Sequence, residues 1–384
     1  MHDVAIVGAG PVGGTLALAL ADADLDVVAL DARAQGATLR RDRSLALSHG
    51  ARLVFERLGV WPRLADTKGA LTPILTIDIS QAGGFGVTRL SAAEQGLPAL
   101  GYVVSYLALQ AAIDAELART RTVIRYGAQV DNVGGTPAYA AVTFADGTRD
   151  ALTARLAVVA DGSGAAVAGV ARERREYRQV ALLAKVAMAR PHAGVAYERF
   201  TPSGPVALLP EGDHYGLIWT MAPAEGERVL ALSDAEFLAE LAAHFGARVE
   251  GFRGVRDRTT FPLALEFARP AVTTRCVLIG NAAQTLHPIA GQGFNLGVRD
   301  AYALAQTIVE HGRDALGDRA MVADYAARRR VDRVAGIAFT HGLTRLFAPD
   351  WPPLAWPRGV ALSVLDAIPP LKRAFTNAML FGLR

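Results

Sequence analysis

Cysteine is nearly absent from this chain: Cys276 stands alone among 384 residues. That excludes an internal disulfide and any cysteine-based cluster or zinc site, and its place at the head of an apolar strand reads as a buried structural thiol. Lysine is almost as scarce. Only Lys68, Lys185 and Lys372 occur, so the cations are nearly all arginine, and 40 Lys plus Arg against 37 Asp plus Glu leaves +3. A balance this even is no electrostatic footprint for nucleic acid. No run of about 18 uninterrupted apolar residues is present to span a membrane, no signal-peptide pattern precedes the first strand, and no repeat or low-complexity tract occurs. The chain is expected to be cytoplasmic, with peripheral contact at the inner face of the membrane as the alternative. Its length points to roughly two domains.

What is present is glycine in two places. Asp3 to Val7 is a β-branched run followed by Gly8-Ala9-Gly10-Pro11-Val12-Gly13 and an Ala/Leu-rich helix, Thr15 to Ala23. The GxGxxG spacing thus falls between a strand and a helix, as a dinucleotide site requires. A second strand, Asp26 to Leu30, ends in Asp31, where a carboxylate would accept from a ribose 2′-OH and oppose a 2′-phosphate. The alternative is a glycine turn that only permits close helix–strand packing. Far along the chain, a strand from Cys276 to Ile279 leads into Gly280-Asn281-Ala282-Ala283-Gln284-Thr285-Leu286-His287-Pro288-Ile289-Ala290-Gly291-Gln292-Gly293-Phe294-Asn295. A helix is predicted from Asn295 to Glu310, so its positive end faces whatever fills the loop, a phosphate or an anionic reduced flavin ring.

Between these poles the pattern changes. Arg33 to Arg43 is a polar link; Arg40 and Arg41 read as solvated charges, whereas Arg43 could reach a pyrophosphate. Helices are predicted over Ser48 to Leu58, Tyr102 to Ala118 and Asp234 to Phe245, and a hairpin over Leu75 to Leu90. A meander around Asp146-Gly147 ends at Asp161-Gly162, either a cofactor contact or a plain turn. Gln179 to Trp219 alternates like an antiparallel sheet. Its aliphatic positions Leu182, Val186, Val206, Leu208 and Ile218 are expected to line a substrate face, where no charged pair is placed to hold a carboxylate. Met321 to Arg384 is helical, interrupted by prolines; its Trp351, Trp356 and Lys372-Arg373 suit a membrane surface, a partner or packing on the rest of the chain. His287 reads as a structural hydrogen-bonding residue ahead of a catalytic one.

Over essentially its whole length the sequence resembles the flavoprotein aromatic hydroxylases of the para-hydroxybenzoate hydroxylase fold. Within them it is similar to the ubiquinone-biosynthesis hydroxylases, most of all the 2-polyprenyl-6-methoxyphenol hydroxylase branch. The run from Gly280 to Asn295 carries the likeness, with Arg43 to Ser48 and Phe200 to Pro210 in support. The resemblance implies an α/β fold. A Rossmann-type (GR2-like) FAD-binding domain would be built from residues 1–72, 97–178 and 261–312. An inserted antiparallel-sheet substrate domain would take 73–96 and 179–260, and a C-terminal helical region 313–384. It assigns Gly8, Gly10, Pro11 and Gly13 to the FAD pyrophosphate, Asp31 to the ribose, Arg43 to the phosphates, Val130 to the adenine side and Asp161 to the acidic box. Gly280 and Asn281 fall to the ribityl chain and pyrophosphate, and Gly291, Gln292, Gly293, Phe294 and Asn295 to the isoalloxazine ring; His287 and Pro288 would border the substrate, and no metal is implied. Asn281 stands where many relatives have Asp, Leu107 replaces a common Arg, and Ala165 and Ala168 replace a usual Ser and Arg.

The implied activity is an FAD-dependent monooxygenase that hydroxylates a prenylated methoxyphenol with O2 through a flavin C4a-hydroperoxide. NAD(P)H or an electron-carrier protein would be the reductant, and other ubiquinone-biosynthesis proteins the partners. No catalytic side chain is singled out. The alternatives are an FAD-dependent reductase or dehydrogenase of the same fold, and a non-catalytic flavin-bearing member of a biosynthetic complex.

Overall fold

A computed structural model describes residues 1–383 except 38–41, 146, 148–149, 163, 250 and 348–351. Arg40, Arg41, Asp146 and Trp351 therefore lie outside the described residues.

The first strand, His2–Val7, is buried on both faces, as a run of Val, Ala and Ile without polar alternation demands. It pairs in parallel with Val27–Asp31 on one side and Leu152–Val159 on the other. Val123–Tyr126 and Cys276–Leu278 extend this parallel core outward, and the antiparallel strands Val130–Gly135 and Ala140–Phe144 complete the meander. Helix Pro11–Ala19 follows the first strand, with Pro11 at a position where its missing N–H costs nothing.

The second sheet has Phe252–Arg269, Ala171–Met188, His214–Met221, Gly204–Glu211, Val195–Thr201, Thr76–Gln81 and Val87–Ser91 in that spatial order, with Gln284–Thr285 added at one edge. All its pairs are antiparallel except Val195–Thr201 with Thr76–Gln81. The anticipated breaks at 178/179 and 260/261 fall inside continuous strands of 18 residues each, which run from beside the parallel sheet into this one.

A third, three-stranded sheet corrects the helix expected from Tyr102. Gly101–Ser105 pairs with both Ser44–Ser48 and Leu71–Ile74, and the helix starts only at Tyr106, where the Ser105 side chain accepts from Ala108 N–H. Pairing on both edges overrides helix propensity there. The C-terminal region forms helices Arg319–Phe347, Pro352–Ala367 and Pro369–Phe381. Among the described residues no helix is long and apolar enough to cross a membrane.

Candidate active site

The first glycine turn divides its work among three residues. Gly8 has φ +95°, and a Cβ there would lie 2.7 Å from Asp161 Cα. A Cβ on Gly13 would lie 1.9 Å from the Gly8 carbonyl oxygen, so helix and strand touch backbone to backbone. Gly10 differs: its Cβ would meet nothing nearer than Tyr106 Oη at 3.9 Å, leaving open space before the free N–H groups of the helix start. Arg43 stands at the same place, its guanidinium 4.5 Å from the Tyr106 ring centre. Asp31 lies beneath, accepting from Ala9 N–H at 3.1 Å and from Arg33 Nε at 3.0 Å. The Ala128 N–H donates to the Asp31 carbonyl at 2.8 Å, which brings Val130 to this end of the sheet. Asp161 accepts from Ala165 N–H at 2.7 Å through Oδ2, while its Oδ1 is buried with no partner among the described residues. An open glycine cradle, a helix N-terminus, an arginine and an orphaned acceptor fit the phosphates and hydroxyls of FAD.

The second glycine loop faces the first. Gly280 has φ +60° and donates its N–H to Asp300 Oδ2 at 3.3 Å; Asn281 beside it is exposed. Asp300 is fully buried and held by Arg329 at 2.8 Å, and Arg329 bridges to Asp332, which pairs with Arg299. This ionic chain fixes the long helix Arg319–Phe347 behind the loop. Gly291, at φ +59°, caps helix Gln292–His311, which begins one turn earlier than expected because that left-handed residue sets the start. Gly293 sits in the first turn with its nearest neighbour, Leu286 Cβ, at 4.0 Å from a would-be Cβ. Phe294 packs on the Rossmann core. Asn295 is buried, its Oδ1 accepting from Ser48 N–H at 2.8 Å and its Nδ2 donating to the Ala46 and Gly291 carbonyls at 3.0 and 2.9 Å.

Between this loop, the second sheet and the last helix lies a cavity of about 110 Å³. Pro288, Gly291 and Gln292 form one wall, Ile77, Ile79, Ala196, Ala207, Leu209 and Ile218 the sheet wall, and Phe375, Met379 and Leu380 the third. Ile218 lines the cavity. Val206 and Leu208, with Leu182 and Val186, do not: they point to the other face and pack on Phe237, Leu241 and Phe245 of helix Asp234–Phe245. The register pairs Ala207 with Ile218 and Val206 with Trp219, so the cavity face carries the odd-numbered positions of strand Gly204–Glu211. His287 does not line the cavity. It is 1% exposed with neither ring nitrogen hydrogen-bonded among the described residues, stands edge-on to Tyr177 at 5.2 Å, and burial pushes its pKa down to about 4, so the ring is neutral.

Among the cavity residues that escaped the sequence reading is a carboxylate. Glu198 projects from Val195–Thr201 among the aliphatic side chains, and burial pushes its carboxyl up to about 7. The signal was the alternation of its strand, which places it on the face of Ala196; only the pairing register says that this face is the site.

A dinucleotide cradle beside a largely apolar cavity defines an FAD-dependent oxidoreductase of the aromatic-hydroxylase type. The chain belongs to the FAD binding domain family, whose model matches residues 1–336. It is 36% identical to ubiquinone hydroxylase UbiL of Rhodospirillum rubrum, over 97% of this chain and 88% of that protein. It is 30% identical to 3-demethoxyubiquinol 3-hydroxylase of Escherichia coli, over 97% and 96%. Among solved structures, p-nitrophenol 4-monooxygenase PnpA from Pseudomonas putida shares the fold with a TM-score of 0.77 at 18% identity, covering 100% of this chain and 99% of that one.

Proposed function

We propose that the protein hydroxylates a polyprenylated methoxyphenol in ubiquinone biosynthesis. The observation that carries this reading is the cavity wall. It is mostly aliphatic, and among the described residues no Lys or Arg borders it to hold the carboxylate of a simple phenolic acid. When bound, FAD supplies the oxygen-activating redox chemistry. The pyrophosphate would lie against Gly10, Pro11, Gly13 and Arg43, the ribose toward Asp31, the adenine by Val130, and the ribityl chain between Asp161 and Gly280-Asn281. The ring would face Gly291 to Asn295, where the helix N-terminus favours negative charge. Ile218, Leu209 and Pro288 hold the phenol, and the last helix excludes water. NAD(P)H or an electron-carrier protein supplies electrons. A prenylated substrate resides in lipid, which favours action at the inner face of the membrane beside other enzymes of the pathway.

The test has two parts. Cells lacking the protein should accumulate one prenylated phenolic precursor, and the purified holoenzyme should consume O2 and insert one oxygen atom into it. Accumulation of a ring-hydroxylated quinol with an unsaturated side chain, or substrate turnover without O2, would instead identify a reductase.

A further inference from the structure

We infer that Glu198 is the acid–base residue of the reaction, accepting the phenolic proton as the ring is attacked; this rests on the hydroxylase reading above. An arene reacts with an electrophilic oxygen far more readily as its phenolate, so the site needs a base beside the substrate hydroxyl. In the step proposed here the phenol O–H bond breaks and a carboxyl O–H bond forms on Glu198, leaving the ring oxygen anionic. One oxygen atom of O2, activated by the FAD the enzyme would carry, then bonds to the ring carbon as the O–O bond breaks, oxidising the ring by two electrons; as aromaticity returns, the ring C–H proton leaves to solvent and Glu198 gives its proton back to the original oxygen, ending as carboxylate.

Three observations support the assignment. First, Glu198 sits between Ile79 and Ala207 on the cavity wall, opposite Pro288 and Gln292 of the loop. Second, no hydrogen bond or ion pair holds it among the described residues, so it serves no structural pairing, and a half-buried carboxylate on an apolar wall is costly to keep without a partner. Third, burial alone displaces its protonation into the neutral range, where a general base works best.

The groups around it leave that displacement uncompensated. Tyr197, the other titratable residue bordering the cavity among the described residues, turns its ring to Tyr215 and Phe245 on the opposite face. Asp78 and Arg199 belong to the opposite face: Asp78 meets Arg89 and Arg248, and Arg199 donates to Ser80. Glu211 is paired with Lys185 at a strand end, and Lys372 of the last helix is engaged by Glu94 and Asp366.

The experiment is rapid kinetics of the FAD-loaded holoenzyme with a short-chain 2-prenyl-6-methoxyphenol from pH 5.5 to 9. The wild type should show an acid limb in the hydroxylation rate near pH 7. Glu198→Gln should keep FAD and substrate binding, lower the rate by about 10²- to 10⁴-fold and lose that limb, with O2 diverted to hydrogen peroxide. Ring-fluorinated phenols, already ionised at neutral pH, should recover most of the rate in Glu198→Gln, and Glu198→Asp should retain an acid limb. An unchanged rate and pH profile in Glu198→Gln would overturn the inference, as would equal defects with acidic and ordinary phenols. If the glutamine variant does not fold, the acid limb of the wild type decides: it must vanish with the fluorinated phenols, and its persistence refutes the role. A wild type that hydroxylates none of these phenols refutes the hydroxylase reading instead.

Discussion

At the residue scale, the glycines of the first turn are not interchangeable. A methyl group on Gly13 meets the Gly8 carbonyl at 1.9 Å, and the backbone cannot yield there without parting strand from helix. Gly13→Ala should therefore cost about 1–3 kcal/mol or more of stability even without cofactor, read as the denaturation midpoint of the apoprotein. Gly10→Ala meets only open space, so its apoprotein should unfold normally while FAD binds at least tenfold more weakly; an unaltered FAD affinity would show that the phosphates do not pass there. His287 makes a prediction of a different kind. Its folded pKa lies near 4, below the ordinary 6.5, so the neutral ring contributes stability above pH 6.5 that is lost as pH falls toward 4. His287→Phe keeps the edge-on contact with Tyr177 but does not titrate. Relative to wild type it should gain about 2–3 kcal/mol between pH 7.5 and 4 in urea unfolding; a pH-independent difference would mean that the imidazole is solvated. Local signals such as the glycine spacing and Asp31 were legible because each depends on a few neighbouring residues. The orientation of Val206 and the presence of Glu198 in the cavity were not, because they depend on which residue stands across the strand.

At the element scale, the helix Gln292–His311 is joined to strand Ser44–Ser48 by one side chain. Asn295 fills two acceptor needs and one donor need of buried backbone, and an amide alone offers both kinds of group from one planar head. Asn295→Ala leaves the Ser48 N–H and two carbonyls short of partners and should cost about 1–3 kcal/mol. Asn295→Asp should be worse, since a carboxylate oxygen would then oppose the Ala46 and Gly291 carbonyls. Thermal unfolding with and without FAD checks the order, and an aspartate variant as stable as wild type would contradict the clamp. The same strand explains the misplaced helix start at Tyr102. Its apolar spacing satisfies helix and strand alike, and the choice is made by Ser44–Ser48 and Leu71–Ile74, which the sequence places at 58 and 31 positions before Tyr102, counting from Ser44 and Leu71. Long elements with their own caps were plain from sequence, as in Asp234–Phe245, where Ser233 and Glu236 form a reciprocal cap.

At the scale of the whole molecule, the cavity lies where three parts of the chain meet, and its volume of about 110 Å³ suits an aromatic head better than a polyprenyl chain. The tail must leave past the last helix, whose Phe375, Met379 and Leu380 face the cavity while Leu371 and Leu383 are exposed nearby. Each buried methylene contributes about 0.8 kcal/mol before ordering costs, whereas a phenol hydroxyl adds about 0.5–1.5 kcal/mol per hydrogen bond. The first isoprene units should therefore dominate binding. They should also improve turnover, since anchoring a remote group limits the positions the ring can take over the loop. In a series of 2-prenyl-6-methoxyphenols, kcat/KM should rise at least tenfold with each of the first one or two units and level off once the chain reaches the exposed end of the last helix. The fraction of reducing equivalents lost as hydrogen peroxide should fall in step. Met379→Trp, which narrows that exit, should leave the shortest substrate nearly unaffected and penalise the longer ones. A series flat in both quantities, or a small carboxylated phenol as the best substrate, would detach the prenyl chain from this cavity while leaving the FAD fold intact.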